Sequence, residues 1–268
     1  MTETIWPHGS ARTLTWDSGE LHIWNVPLTH APSRTPELCR LLGPAERVEL
    51  SALTRGPGTR SFIARRARLR RILAGYLGAA PEELRFGYGA DGKPWLLGQS
   101  RLLGQSQSPG PSQSPGPSRL HFSVSHSGGT ALVAVAVGHP VGVDVERARP
   151  VPEASRLAAL CLAPAEARAL SRLPRADRAR GFLGCWVRKE AYTKARGRGI
   201  ARGLGWFEVS VPPEPPRVVR AGRADGLAWQ FAEPPAMDGL VAAVAWPGEQ
   251  RRLRAFRYGP GGRSSDTP

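Results

Sequence analysis

Between Leu120 and Val145 three short apolar runs follow one another: Leu120–Val124, Ala131–Val137 and Val141–Val145, separated by Gly and Pro. Short β-branched runs bounded by turn residues read as strands, so the middle of the chain is committed to sheet. The flanks decide what covers it. From Arg60 to Leu77 the apolar positions Leu69, Ile72, Leu73, Tyr76 and Leu77 recur at helical spacing, one buried stripe that Gly78 ends. Downstream, Pro164–Leu170 and Arg178–Arg196 read as helices, the second closed by Gly197 and Gly199. Trp206–Val211, Gly226–Phe231 and Leu240–Trp246 read as strands, and Phe86–Tyr88 with Trp95–Leu97 as a hairpin about Ala90-Asp91-Gly92. This mixture predicts an α+β (mixed α/β) class. Punctuation at His139-Pro140 predicts an N-terminal lobe over 1–139 and a C-terminal lobe over 140–258.

Residues 96–118 repeat themselves: Leu96–Ser100 recurs as Leu102–Ser106, and Gln107–Ser112 as Gln113–Ser118. Pro, Gly, Ser and Gln tracts bury too little apolar surface to offset their ordering entropy, which predicts a flexible insertion over 98–118. A disordered tail is expected over 259–268 for the same reason. Met1–Gly9 shows no secretory pattern, and no stretch of about 18 apolar residues occurs, so a cytoplasmic protein that neither crosses nor binds a membrane is expected. Cys39, Cys161 and Cys185 are odd in number and lack C-x-x-C spacing, arguing against a disulfide framework or a zinc site.

The 37 basic residues exceed the 22 acidic ones by 15, which calls for an anionic partner: nucleic acid, a phosphorylated small molecule or an acidic protein. Of those 37, only Lys93, Lys189 and Lys194 are lysine. Where arginine fills nearly every cationic position, the three lysines mark places where a compact, rotatable ammonium matters. An Arg-rich nucleic-acid-binding protein is the alternative from another class, but no zinc finger or RNP-type strand is present to support it.

Four constellations carry the chemistry. Gly87–Lys93 imitates a phosphate loop, yet Pro94 cannot hold magnesium and strand-like residues follow it, so only Lys93 at its tight turn stays of interest. Ser125-His126-Ser127 is no nucleophile and base pair, because strand neighbours point to opposite faces. It is either an ordinary surface triplet or a set of donors for a phosphate. In Gly142-Val-Asp144-Val-Glu146 the two carboxylates share one strand face while Val141, Val143 and Val145 face the core; an isolated pair of this kind is commonly an exposed polar face, and a cation between the two is the sharper reading. In Trp186–Gly199, Trp186, Glu190 and Lys194 lie on one helical face. They form either a surface ion pair or, with Asp144 and Glu146, a three-carboxylate site beside a phosphate-neutralising lysine. The arginines of 60–71 are likewise a solvated face or a phosphate-facing rim.

Taken in order, Gly92-Lys93-Pro94, Phe122-x-x-Ser125-His126-Ser127, Gly142-x-Asp144-x-Glu146 and Trp186-x-x-Lys189-Glu190-Ala191-x-x-Lys194-x-x-Gly197-x-Gly199 resemble the 4′-phosphopantetheinyl transferase superfamily. They match its larger, two-lobed Sfp-type, which serves polyketide and nonribosomal peptide synthases. The resemblance covers roughly Arg60 to Leu204. It implies two similar lobes related by a pseudo-twofold axis, with coenzyme A and Mg²⁺ bound in the cleft between them. The implied reaction moves the phosphopantetheine arm of coenzyme A to a serine of an apo acyl or peptidyl carrier protein and releases adenosine 3′,5′-bisphosphate. By motif, Asp144, Glu146 and Glu190 would ligate Mg²⁺, and Lys93, Ser125, His126, Lys189 and Lys194 would contact the coenzyme A phosphates. Arg60 matches more loosely. Glu190 or a water on the metal would accept the serine proton, and Lys194 would stabilise the leaving phosphate. The resemblance further implies a monomer acting on acidic carrier proteins, which the positive charge suits. Ser123 stands where many relatives have Asn, and the insertion lengthens a link that is short in relatives.

Overall fold

The computed structural model describes residues 8–9, 19–53, 56–89, 92–98, 120–197, 203–220 and 228–259. The predicted strand runs form β5 (Leu120–Ser127), β6 (Thr130–Val137) and β7 (Gly142–Arg147). Two long helices match the periodicity: α3 (Pro57–Leu77), ending at Gly78, and α6 (Arg175–Arg196), ending at Gly197. The hairpin is present as β3 (Phe86–Tyr88) and β4 (Pro94–Leu96), its second strand one residue earlier than predicted; Ala90 and Asp91 at its tip are not among the described residues. The insertion beyond Gly98 and the tail beyond Gly259 also lie outside them.

Strands β1 (His8–Gly9), β12 (Arg252–Tyr258), β2 (Glu20–Pro27), β6 and β5 make one sheet in that order, with β12 parallel to both neighbours and the rest antiparallel. A second sheet has the order β10 (Trp229–Ala232), β11 (Leu240–Pro247), β7, all antiparallel. Because side chains alternate, each sheet has two apolar faces. The inner ones meet: Leu21, Ile23, Leu132 and Ala134 pack with Val143, Val145, Val244 and Trp246. On the outer faces, α3 covers Trp24, Val26, Val133 and Val135, and α6 covers Ala243 and Ala245. The result is helix, sheet, sheet, helix, a mixed α/β architecture. Each fully buried Leu or Ile at these layers contributes about 2 kcal/mol.

One expectation needs correction. Arg252–Tyr258 falls within the predicted C-terminal lobe but pairs with β2 in the first sheet, so the sheets do not divide at 139/140. The chain returns to the sheet where it started.

The halves share a local device. Leu42-Gly43-Pro44-Ala45-Glu46 opens α2 (Pro44–Ser51), and Leu162-Ala163-Pro164-Ala165-Glu166 opens α5 (Pro164–Arg172). In each, Pro fills the first helical position and Glu the third, where the carboxylate caps the helix start. Glu46 accepts the Gly43 N–H at 2.8 Å and Arg70 Nε of α3 at 2.6 Å. Glu166 accepts the Ala163 N–H at 2.7 Å and Lys189 Nζ of α6 at 2.6 Å. Both cations go on to tie carbonyls of the following segment: Arg70 those of Pro81 and Leu84, Lys189 that of Phe207. Each long helix is thus keyed to the short one before it by a buried cation hydrogen-bonded to a carboxylate and to backbone carbonyls.

Candidate active site

The crossing of α6 over β7 builds the site. Gly142 lies directly under the helix, where a Cβ would stand 2.0 Å from the Ala191 carbonyl oxygen and 2.4 Å from the Ala195 nitrogen. Only a residue without a side chain allows that approach. Two and four residues on, Asp144 and Glu146 project on the same strand face, toward the helix. On α6 the half-buried stripe is Trp186, Glu190 and Lys194, spaced by four, while the residues between them are buried. Gly197, at φ +67°, adopts the left-handed conformation that ends the helix just past Lys194.

Lys194 Nζ donates to Asp144 Oδ1 at 2.6 Å and to Ser125 Oγ at 3.1 Å, and Ser125 Oγ donates to the same Oδ1 at 2.6 Å. Asp144 is only 3% exposed, and its other oxygen, Oδ2, accepts no hydrogen bond. Glu190 has a pKa above the ordinary carboxylate value: burial withdraws solvent, Asp144 and Glu146 repel its charge, and Lys194 only partly compensates. Ser123 and Ser127 occupy the same face of β5 as Ser125. Ser123 Oγ accepts the Val143 N–H at 3.1 Å, while Ser127 Oγ accepts the Arg147 N–H at 3.0 Å and donates to Glu146 Oε2 at 3.1 Å. Alternate serines therefore join the edge of the first sheet to the edge of the second.

A cavity of about 270 Å³ is lined by Arg65, Arg66, Leu69, Tyr88, Lys93, Ser123, Val124 and Lys194, the last of which is the ion-pair partner of Asp144. The α3 arginines divide between two duties. Arg70 and Arg71 pair with Glu46 and Glu37, and Arg68 binds the carbonyls of Pro27 and Thr29. Arg65 and Arg66 instead line the cavity; Arg66 also pairs with the exposed Glu49 at 3.1 Å. Arg65 is half-buried, and its pKa is lowered first by desolvation and then by Arg66. His126, on the opposite face of β5 from Ser125, is open to solvent, yet one-sided packing and the charges of Arg65, Lys194 and Arg66 hold its pKa below the usual imidazole value. Lys93 reaches across from the hairpin and donates to the Lys194 carbonyl at 2.5 Å at the C-terminal end of α6, where the helix dipole favours a cation. Burial lowers its pKa to about 8.

Residues 140–245, which contain β7 and α6, match the 4′-phosphopantetheinyl transferase superfamily model. The 4′-phosphopantetheinyl transferase HetI of Nostoc sp. is 34% identical over 245 residues, covering 91% of this chain and 95% of that protein. The protein slr0495 of Synechocystis sp. is 33% identical over 182 residues, 68% of this chain and 67% of that protein. The chain belongs to the 4′-phosphopantetheinyl transferase superfamily.

Membership makes the placement of each predicted residue informative. Asp144, Glu146, Glu190, Lys194 and Ser125 converge, and Lys93 lines the cavity; His126, exposed on the other face of β5, is not among the lining residues. Lys189 does not join them. Its ammonium is fully buried between Glu166 and the Phe207 carbonyl, so the expected phosphate contact is replaced by a structural ion pair. Successive helical residues lie about 100° apart, and Glu190 and Lys189 therefore serve different sides of α6. Arg60 is exposed on the first turns of α3 and is not among the residues lining the cavity. In the sequence, Arg65 and Arg66 stand out only as part of a general basic run, and Ser127 only as part of a triplet of candidate phosphate donors. Among the described residues no three His, Cys, Asp or Glu side chains stand close enough to enclose a metal. The bare Asp144 Oδ2 beside two further acids nevertheless suits a hard cation that takes a few carboxylates and completes its shell with water and phosphate oxygens.

Proposed function

We propose that this cleft transfers the phosphopantetheine arm of coenzyme A to a serine hydroxyl of an apo acyl or peptidyl carrier protein, in the presence of Mg²⁺. The observation that carries the reading is a pairing of opposites. Arg65, Arg66, Lys93 and Lys194 line one cavity, and Lys194 is at the same time bound at 2.6 Å to Asp144, whose charge, with that of Glu146, repels Glu190. Cations alone would suit any anion; cations next to mutually repelling acids suit a pyrophosphate that arrives with its own metal. Asp144, Glu146 and Glu190 would hold that Mg²⁺, which when bound supplies positive charge to the pyrophosphate oxygens.

The chain's own residues do the rest. Arg65, Arg66, Lys93 and His126 bind and orient the phosphates of coenzyme A. Glu190 takes the proton of the carrier serine as its oxygen forms a bond to the phosphorus carrying the pantetheine. The bridging P–O bond breaks, its electron pair leaving with adenosine 3′,5′-bisphosphate, whose new charge Lys194 meets. Among the described residues no helix is long and apolar enough to cross a membrane. Cytoplasmic action as a monomer on acidic carriers completes the proposal.

Incubation with coenzyme A, Mg²⁺ and a panel of apo carrier proteins, each weighed by mass spectrometry, tests it. A serine-linked phosphopantetheine adduct is expected on at least one carrier and is expected to vanish with Asp144→Ala at limiting Mg²⁺. Parental rates in that variant would remove Asp144 from the site.

A further inference from the structure

We infer that Ser127 is a positioning residue, fixing the carboxylate of Glu146 for the metal; the inference rests on the reading of Asp144, Glu146 and Glu190 as the metal-holding acids. Ser127 ends β5 at the Gly128-Gly129 turn, paired with Thr130 at the start of β6, so its backbone is held by the tightest connection in the sheet. Its single hydroxyl does two things. It accepts the Arg147 N–H at 3.0 Å, which aims the hydroxyl hydrogen away from β7's backbone, and it donates that hydrogen to Glu146 Oε2 at 3.1 Å. Asp144 is restrained twice over, by Ser125 and by Lys194. Glu146 has three rotatable bonds, is half-exposed, and has Ser127 as its side-chain donor in the structure.

The chemistry of metal ligands explains why this restraint matters. A ligating carboxylate is held by an outer hydrogen bond that orients it, and loss of such a partner weakens metal affinity by roughly 10- to 100-fold. Without the hydroxyl, the Glu146 side chain is free to swing into solvent, away from the repulsion of Glu190 and Asp144. Serine also fits the register. Alternate residues of β5 face the edge of β7, and only at 127 does the facing acid lie within one side chain's reach without a lysine to hold it.

The test uses the intact protein and reads metal binding directly, by Mn²⁺ electron paramagnetic resonance and Mg²⁺ calorimetry, with coenzyme A affinity and thermal midpoint measured alongside. Ser127→Ala is expected to weaken metal affinity about tenfold while leaving metal-free coenzyme A affinity unchanged, and Ser127→Thr, which keeps the hydroxyl, to restore it. Equal metal affinity in the parent and in Ser127→Ala would overturn the positioning role. So would an affinity loss that Ser127→Thr fails to restore in a protein with parental thermal midpoint. A parent that binds neither metal, with or without coenzyme A, would instead overturn the metal reading itself.

Discussion

Glu190 is in an electrostatic position that costs the fold something. Its folded-state pKa is raised by burial and by Asp144 and Glu146, so the folded protein holds its proton more tightly than the unfolded chain does. The sign follows. The contribution to stability is complete at low pH and is lost as pH rises through the raised pKa. Glu190→Gln is therefore expected to raise the thermal midpoint at neutral pH, and the gain over the parent is expected to shrink as pH falls below that pKa. Turnover is expected to drop about a hundredfold, the scale of a lost general base, with coenzyme A affinity changing far less. Calorimetry across pH, set against single-turnover kinetics, checks both; a variant no more stable than the parent at neutral pH would mean that Glu190 is not strained.

At the scale of elements, the two cation keys differ in a way that is open to test. Arg70 fills space that a Cβ at residue 43 would need, its Nη2 standing 2.3 Å from that position, whereas the slimmer Lys189 coexists with Ala163. Gly43→Ala is expected to destabilise by about 1–3 kcal/mol through overpacking. Arg70→Lys alone loses hydrogen bonds to two carbonyls, about 1–2 kcal/mol. Combined, the changes recreate the second lobe's arrangement and are expected to cost less than their sum by about 1 kcal/mol, measured from urea midpoints as a double-mutant cycle. Strict additivity would show that the shape of the cation does not set the residue at 43. Local periodicity made the central elements legible: α3, α6, the hairpin and β5 to β7 all show one clear period. It also fixed the faces of Asp144, Glu146, Glu190 and Lys194, because strand and helix spacing decide which side chains share a side. What stayed hidden depended on partners far along the chain. β12 reads Arg-Leu-Arg-Ala-Phe-Arg-Tyr, too charged to look like a strand until Glu20 accepts Arg254, and β2 carries His22 and Glu20 inside the protein. Lys189 sits next to Glu190 in sequence, and only Glu166 of α5 shows which way it points.

For the whole molecule, the position of β12 outweighs its length. Phe256 stacks on Trp24 with ring centroids 4.9 Å apart, and β12 separates β1 from β2 in the first sheet. A chain stopped after Glu249 is expected to lose at least ~3 kcal/mol, the scale for one buried Phe, even though every proposed site residue is still present. Urea unfolding followed by tryptophan fluorescence measures this, and an unchanged midpoint would show that the three strands still paired, β2, β6 and β5, suffice. The same arrangement has a consequence in time. At roughly 5–20 residues per second a ribosome finishes β2 on the order of ten seconds or more before β12 emerges. Throughout that interval one edge of β2 has no partner, and Trp24 and Ile23 lack part of their cover. An open strand edge invites pairing with another chain. The nascent protein thus passes through a stage in which its first sheet is nearly made but cannot close.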